Sequence, residues 1–209
     1  MADVEFFWDP VCPWAWITSR WVHEVATRRP LDVDWRFISL RLVNDAKYAD
    51  GTLPERSKVA HGMGLRLLRV AAAAREAHGA EHVADLYTAF GTRIHVDGRR
   101  EELLDGTGVP AVLEEVGLPA ELAGAADDER WDDPVRTDTE TALERAGKEL
   151  GTPILTFGPP DGPSFFGPVI NRIPRGDDAV ALWDCVSTAA RFPGFSELKR
   201  SVRGKPETS

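Results

Sequence analysis

Cysteine is scarce in this chain: 209 residues hold two, Cys12 and Cys185, far apart in the sequence. A disulfide framework is excluded as the source of stability, and a chain of this length buries a core without staples. Histidine is also sparse, and the five present match no zinc-ligand spacing with the cysteines, so no metal site is expected. No run approaches the roughly 18 apolar residues of a membrane span, and no membrane partner is expected. Basic charge is in deficit, 25 Lys and Arg against 34 Asp and Glu, a formal charge of −9. Such a field repels phosphate backbones and anionic surfaces, so nucleic acid is not an expected partner. A basic stretch leading into an apolar one is missing at the start, where the strand-like Val4–Trp8 begins at once. The expectation is a cytoplasmic protein, in a compartment that keeps thiols reduced.

What is there is an ordinary globular composition, 43% hydrophobic and 28% charged, without internal repeats or low-complexity segments. The first forty residues read as strand, helix, strand. Val4 to Trp8 is apolar and aromatic, and Val33, Trp35 and Phe37 alternate with Asp34 and Arg36. Between them Pro13 suits a first helical position, Ile17, Trp21 and Val25 recur on one face, and Arg28-Arg29-Pro30 supplies a cationic end and a stop.

Residues 40–50 read as a polar loop, and Thr52-Leu53-Pro54-Glu55 as a capping box opening a helix that runs to His78-Gly79. Val83, Leu86, Tyr87, Phe90 and Ile94 form the clearest amphipathic helix. Shorter helices are expected at 109–116 and 119–126, and a longer one from Asp133-Pro134 to Leu150 with Gly151 as its stop. Ile154 to Phe157 and Ser164 to Phe166 flank a turn-rich segment and read as a hairpin. A last helix begins near Asp177 and stops at Pro193-Gly194, and Ser201 to Ser209 reads as a loose tail.

Cys12 ends the strand-to-helix connection Asp9-Pro10-Val11-Cys12-Pro13-Trp14, where the unpaired N–H groups of a helix start point. That position favours a thiolate, whereas a nearby Asp9 carboxylate disfavours it. Cys185 sits beside the apolar Val186 in the closing helix and is expected to be a small structural hydrophobe. Of Trp14 and Trp16, at least one is expected in the core, with Trp14 as the better pocket wall. His95 ends the clearest amphipathic helix and could reach a substrate, with a capping or surface place the commoner reading.

The run Phe6-Phe7-Trp8-Asp9-Pro10-Val11-Cys12-Pro13-Trp14, with this order of elements, resembles the thioredoxin-fold family of DsbA-type oxidoreductases. Trp14-Ala15-Trp16-Ile17-Thr18-Ser19-Arg20-Trp21, Leu86-Tyr87-Thr88, Arg93-Ile94-His95, Phe165-Phe166-Gly167-Pro168 and Glu197-Leu198-Lys199-Arg200 extend the resemblance to actinobacterial members described as mycothiol-dependent nitroreductases. It implies an α/β protein, a thioredoxin fold (residues 1–43 and 151–209) split by an all-helical insertion (residues 44–150). It also implies a cis proline at Thr152-Pro153, although cis is a minority state for such bonds in general.

The resemblance further implies Cys12 as the catalytic residue, supported by Pro13, Trp14, Ala15, Thr152 and Pro153. Trp14, Thr152, Pro153, Phe166 and Gly167 would bind mycothiol or a similar low-molecular-weight thiol as co-substrate. Two departures stand out. The usual pair of cysteines separated by two residues is here Cys12-Pro13-Trp14-Ala15, and related chains carry a histidine pair where this one has Thr139-Glu140. A lone thiol can still pass through a mixed disulfide that a second, free thiol resolves. The other readings are a transferase or isomerase similar to the kappa-class glutathione transferases, activating a bound thiol, and a non-catalytic thioredoxin-like binding protein. Expected partners are a small thiol and a small-molecule or disulfide substrate.

Overall fold

The computed structural model describes residues 2–147, 150–200 and 204–209. Strand β1 (Val4–Trp8) is buried along its whole length because it is flanked on both sides, parallel to β2 (Val33–Phe37) and antiparallel to β3 (Ile154–Phe157). Strand β4 (Ser164–Phe166) adds antiparallel to β3, giving the order β2-β1-β3-β4. The crossover from β1 to β2 is α1 (Pro13–Ala26), which starts on a proline whose missing N–H costs nothing at that position.

Alternation along β1 sorts its side chains to two faces. Val4, Phe6 and Trp8 join the large core with Trp16, Ile17 and Trp21 of α1 and with Trp183 of α9 (Gly176–Arg191), and the Trp21 indole donates to Ala179 O at 2.8 Å. Phe7 joins Ile38, Ile154 and Ala142 in a smaller cluster under α8 (Asp132–Ala146). On that second face Glu5 and Asp138, both buried, are held by three arginines. Arg36 bonds Glu5 at 2.9 Å and also reaches Asp138, Arg75 bonds Asp138 at 2.6 Å, and Arg145 takes the other oxygen of Glu5. Each carboxylate is held by two arginines, with Arg36 shared between them, so the network ties α8 and the helix that carries Arg75 to the sheet.

Between β2 and β3 the chain is helical: α2 (Leu40–Val43), α3 (Asp45–Ala49), α4 (Glu55–His78), α5 (Glu81–His95), α6 (Arg100–Leu104), α7 (Val109–Glu115), two 3-10 stretches (Ala120–Asp127 and Glu129–Trp131) and α8. Several boundaries differ from the sequence reading. The loop expected at 40–50 holds two short helices, the first capped by Ser39. Thr52 does not cap α4: Pro54 stands at that position with its φ at −69°, and no side chain bonds the helix start. The helix expected at 119–126 is of the tighter 3-10 kind. α8 stops at Ala146 rather than Leu150 because Gly147 takes φ 122°, a conformation open to glycine, so Gly151 is not its stop; residues 148 and 149 lie outside the described residues.

The tail read as loose is docked at its end. Thr208 is half-buried and accepts the Trp16 indole N–H at 2.9 Å, while residues 201–203 lie outside the described residues. A polar segment without an apolar residue to pack is held here by hydrogen bonds, which sequence periodicity does not report.

Candidate active site

Cys12 is the residue that caps α1. β1 ends at Trp8, and the chain turns through Asp9: Cys12 N donates to Asp9 O at 3.2 Å and Val11 N to Asp9 Oδ1 at 3.0 Å. The Cys12 sulfur accepts from Ala15 N at 3.5 Å and donates its proton to Thr152 O at 3.4 Å. Thr152 comes from the far end of the chain, and its own hydroxyl donates to Phe7 O at 3.0 Å. The Thr152–Pro153 bond is cis, and Pro153 O accepts Gly167 N at 2.9 Å. β1, α1, β3 and β4 thus converge on one sulfur.

Burial decides the state of that sulfur. Cys12 is only 6% exposed, and desolvation pushes its thiol up to about 12; the Ala15 N–H opposes the rise and the Asp9 carboxylate adds to it. The sequence set the helix start against Asp9 without a winner, and burial adds the larger opposing influence. The partial charge of a helix end is about half an elementary charge, and it does not offset removal of the thiolate from water. In the closed structure Cys12 is a protonated donor to Thr152.

Asp9 is itself fully buried, and burial pushes its carboxyl up to about 7 against the pull of the Val11 and Leu40 amides. Its second oxygen accepts Leu40 N at 2.8 Å, which ties the Cys12 loop to the start of α2. Helix α4 lies so close that a Cβ on Gly64 would stand 2.7 Å from Asp9 Oδ1. A second glycine does the same for α5, where a Cβ on Gly91 would stand 2.3 Å from the Trp16 ring. Both were missed in the sequence. The available signal was a glycine interrupting a helical pattern, which has a packing reason when it is kept at that cost.

His95 also belongs here rather than on the surface. Its Nε2 lies 2.9 Å from Pro10 O, its ring stacks on Trp16 at 5.6 Å, and burial pushes it down to about 4. The ring is therefore neutral near pH 7 with Nε2 as the donor, since a carbonyl can only accept. Arg20 covers the other side of Trp16, its guanidinium 4.2 Å from the ring centre.

Of the remaining candidates, Pro13 and Trp14 are half-buried beside Cys12, and Ala15, where the usual second cysteine would stand, is fully buried. Phe166 turns toward the cluster of Phe7, Ile38, Ala142 and Ile154, so it reaches the site through packing. Thr139, at the place of the relatives' histidine pair, is buried, accepts Ser39 N at 3.0 Å and donates to Val135 O. Cys185 is exposed on the outer face of α9, which corrects its reading as a buried structural residue. Its neighbours Trp183 and Ser187 take the inward positions. Among the described residues no three His, Cys, Asp or Glu side chains come together as a metal site, and no helix is long and apolar enough to cross a membrane.

Solved structures share this architecture. A probable DsbA oxidoreductase of Streptomyces coelicolor, SCO1869, superposes with a TM-score of 0.58 at 19% identity, over 96% of this chain and 94% of that one. The cytosolic disulfide reductase DsbM of Pseudomonas aeruginosa gives 0.57 at 18% identity, over 90% and 99%. A 2-hydroxychromene-2-carboxylate isomerase gives 0.59 at 17% identity, over 90% and 94%. At such identities the likeness establishes the fold, a thioredoxin fold with a helical insertion. In sequence, the Mycobacterium tuberculosis protein Rv2286c, itself uncharacterised, is 32% identical over 201 residues, 96% of this chain and 82% of that protein. Residues 11–200 match the Rv2466c-like family, described as mycothiol-dependent nitroreductase Rv2466c. With nearly its whole length matched, the chain belongs to the Rv2466c-like family and is a thiol-dependent oxidoreductase.

Proposed function

We propose that this protein is a cytoplasmic oxidoreductase working through the single thiol of Cys12, with mycothiol or a similar low-molecular-weight thiol as co-substrate. The observation that carries the reading is the Cys12 sulfur set between Ala15 N and Thr152 O, with alanine at the place of a resolving cysteine and Cys185 on another face. The surroundings suit a thiol ligand. Trp14 is a half-exposed ring beside the sulfur, and Thr152 and Pro153 supply a main-chain edge already within reach of it. Gly167 steadies that edge from β4.

The Cys12 sulfur, once deprotonated, attacks one sulfur of a mixed disulfide. A bond to Cys12 forms, and the other sulfur leaves as a thiolate that takes up a proton. A free small thiol then attacks the mixed disulfide on its own kind, giving the oxidised dimer and returning Cys12. One disulfide is reduced and one is made, so electrons balance. Reduction of a nitro group to nitroso by the same site would draw two electrons and two protons from two thiols, which leave as one disulfide, with one oxygen expelled as water. Proton loss from Cys12 requires water or a ligand dipole to replace the burial that now opposes it.

The test is intact mass after incubating reduced protein with oxidised mycothiol and, separately, oxidised glutathione over a pH series, with Cys12→Ser as control. The expected result is an adduct located on Cys12 by peptide mass, from one of the two and lost in the variant, with the exposed Cys185 as background in both proteins. A protein that only orients a bound thiol, or only binds a ligand, would form no adduct on Cys12 with either, and that result would overturn the single-thiol reading.

A further inference from the structure

The last residues of the chain carry nothing apolar: Gly204, Lys205, Pro206, Glu207, Thr208 and Ser209 have no side chain to bury. Their place is set by hydrogen bonds to three separate elements. Glu207 N donates to Asn171 O at 2.7 Å, in the loop after β4. Thr208 Oγ1 donates to His95 O at 2.7 Å, at the end of α5. Trp16 Nε1 donates to Thr208 O at 2.9 Å, in the first turn of α1. Two of the three use the main chain of the tail, so the surface reads a peptide backbone plus one hydroxyl.

The anchors are not incidental surface groups. Trp16 and His95 stack on each other, and His95 holds Pro10 O in the loop that leads to Cys12. Trp16 is buried, so its indole N–H needs an acceptor, and Thr208 provides it. By contrast the buried indole N–H groups of Trp8 and Trp131 find no partner among the described residues. Beneath residues 204–209 the protein thus offers one donor, Trp16 Nε1, one turn along α1 from Cys12, and two acceptors, His95 O and Asn171 O.

We propose that the surface formed by Trp16, His95 and Asn171 is a backbone-reading site whose resident occupant is residues 204–209 of the chain itself, and that an amide-bearing ligand displaces this segment to reach Cys12. A ligand with peptide-like C=O and N–H groups matches Trp16 Nε1 and Asn171 O, and a hydroxyl or second N–H matches His95 O. A tethered segment acts at an effective concentration of the order of millimolar, so it excludes weak ligands while yielding to one that also engages the sulfur. The site does not depend on Cys12 turning over a disulfide, and the test is chosen accordingly.

The test measures alkylation of Cys12 and Cys185 by iodoacetamide, resolved by peptide mass, in the full chain and in a chain ending at Gly204. Loss of three hydrogen bonds should raise the Cys12 rate by at least about tenfold, with Cys185 unchanged as the control inside the same molecule. The free peptide Lys-Pro-Glu-Thr-Ser, added at millimolar concentration, should slow Cys12 again, and the same peptide with alanine for threonine should do so less. An unchanged Cys12 rate after truncation overturns the proposal. If truncation speeds both thiols together, Glu207→Pro in the full chain decides. It removes the N–H that reaches Asn171 and fixes the local backbone, leaving the rest of the chain in place, and it should speed Cys12 alone by severalfold; no change would overturn the proposal.

Discussion

The two thiols of this chain sit on helices that flank the same sheet, yet they differ in every respect that governs reactivity. Cys12 caps α1, is 6% exposed, bonds Ala15 N and Thr152 O, and is pushed up to about 12. Cys185 lies on the outer face of α9, exposed beside Phe192 and Phe195. The favourable electrostatic position belongs to the thiol that is out of water. A helix start is therefore a place where a thiolate can be stabilised once the site opens, and not a sign that the resting thiol is ionised.

The comparison breaks most directly by substitution. Cys12→Ser should remove thiol-dependent turnover, and Cys185→Ser should leave both turnover and the adduct on Cys12 within a factor of two; peptide mass and steady-state rates with the small thiol check this. Loss of activity in the Cys185 variant would reverse the assignment.

Gly91→Ala comes next. Its Cβ would stand 2.3 Å from the Trp16 ring, and overpacking of this kind costs about 1–3 kcal/mol. Denaturant unfolding should show that loss, and alkylation should accelerate at Cys12 and not at Cys185, because Trp16 is the ring displaced.

Asp9→Asn sharpens the comparison through pH. A carboxyl of ordinary value 3.8 that is held near 7 in the fold keeps its proton where the unfolded chain has lost it. Stability from this group is full below about pH 4 and falls as pH rises to about 7. The variant should flatten that slope in unfolding measured across the window, after loss of one acceptor for a backbone amide. It should also shift the pH profile of Cys12 alkylation to lower pH by removing a like charge, with Cys185 unmoved.

The smallest effect is expected for Thr208→Ala, which deletes the hydroxyl bond to His95 O and keeps the carbonyl on Trp16. A neutral hydrogen bond contributes about 0.5–1.5 kcal/mol, so protection of Cys12 should weaken by about twofold to tenfold, read from the same alkylation rates.

Local pattern and motif were sufficient for much of the architecture. The alternation in Val33, Trp35 and Phe37 marks β2, the spacing of Ile17, Trp21 and Val25 marks α1, and Pro13 marks its start. The resemblance carried by Cys12, Pro13 and Trp14, together with Thr152 and Pro153, pointed to the fold and to the sulfur. These features were legible because each is set by neighbours in the chain, through backbone geometry and periodic burial. His95, Gly64 and Gly91 were not legible as parts of the site. Each takes its role from a partner tens of residues away: Pro10 for the first, Asp9 and Trp16 for the two glycines.

By itself the sequence determined the order of the main strands and helices, the acidic charge, and the presence of one cysteine at a helix start with alanine three residues on, where a second cysteine would stand. Only the tertiary structure decided that this cysteine is a buried, protonated donor, that Cys185 is exposed, and that the C-terminus lies across Trp16 and His95. The physical reason is range. Helix and strand follow from contacts within a few residues, whereas desolvation and hydrogen bonding of a side chain depend on everything packed around it, and here that is drawn from both ends of the chain and its middle.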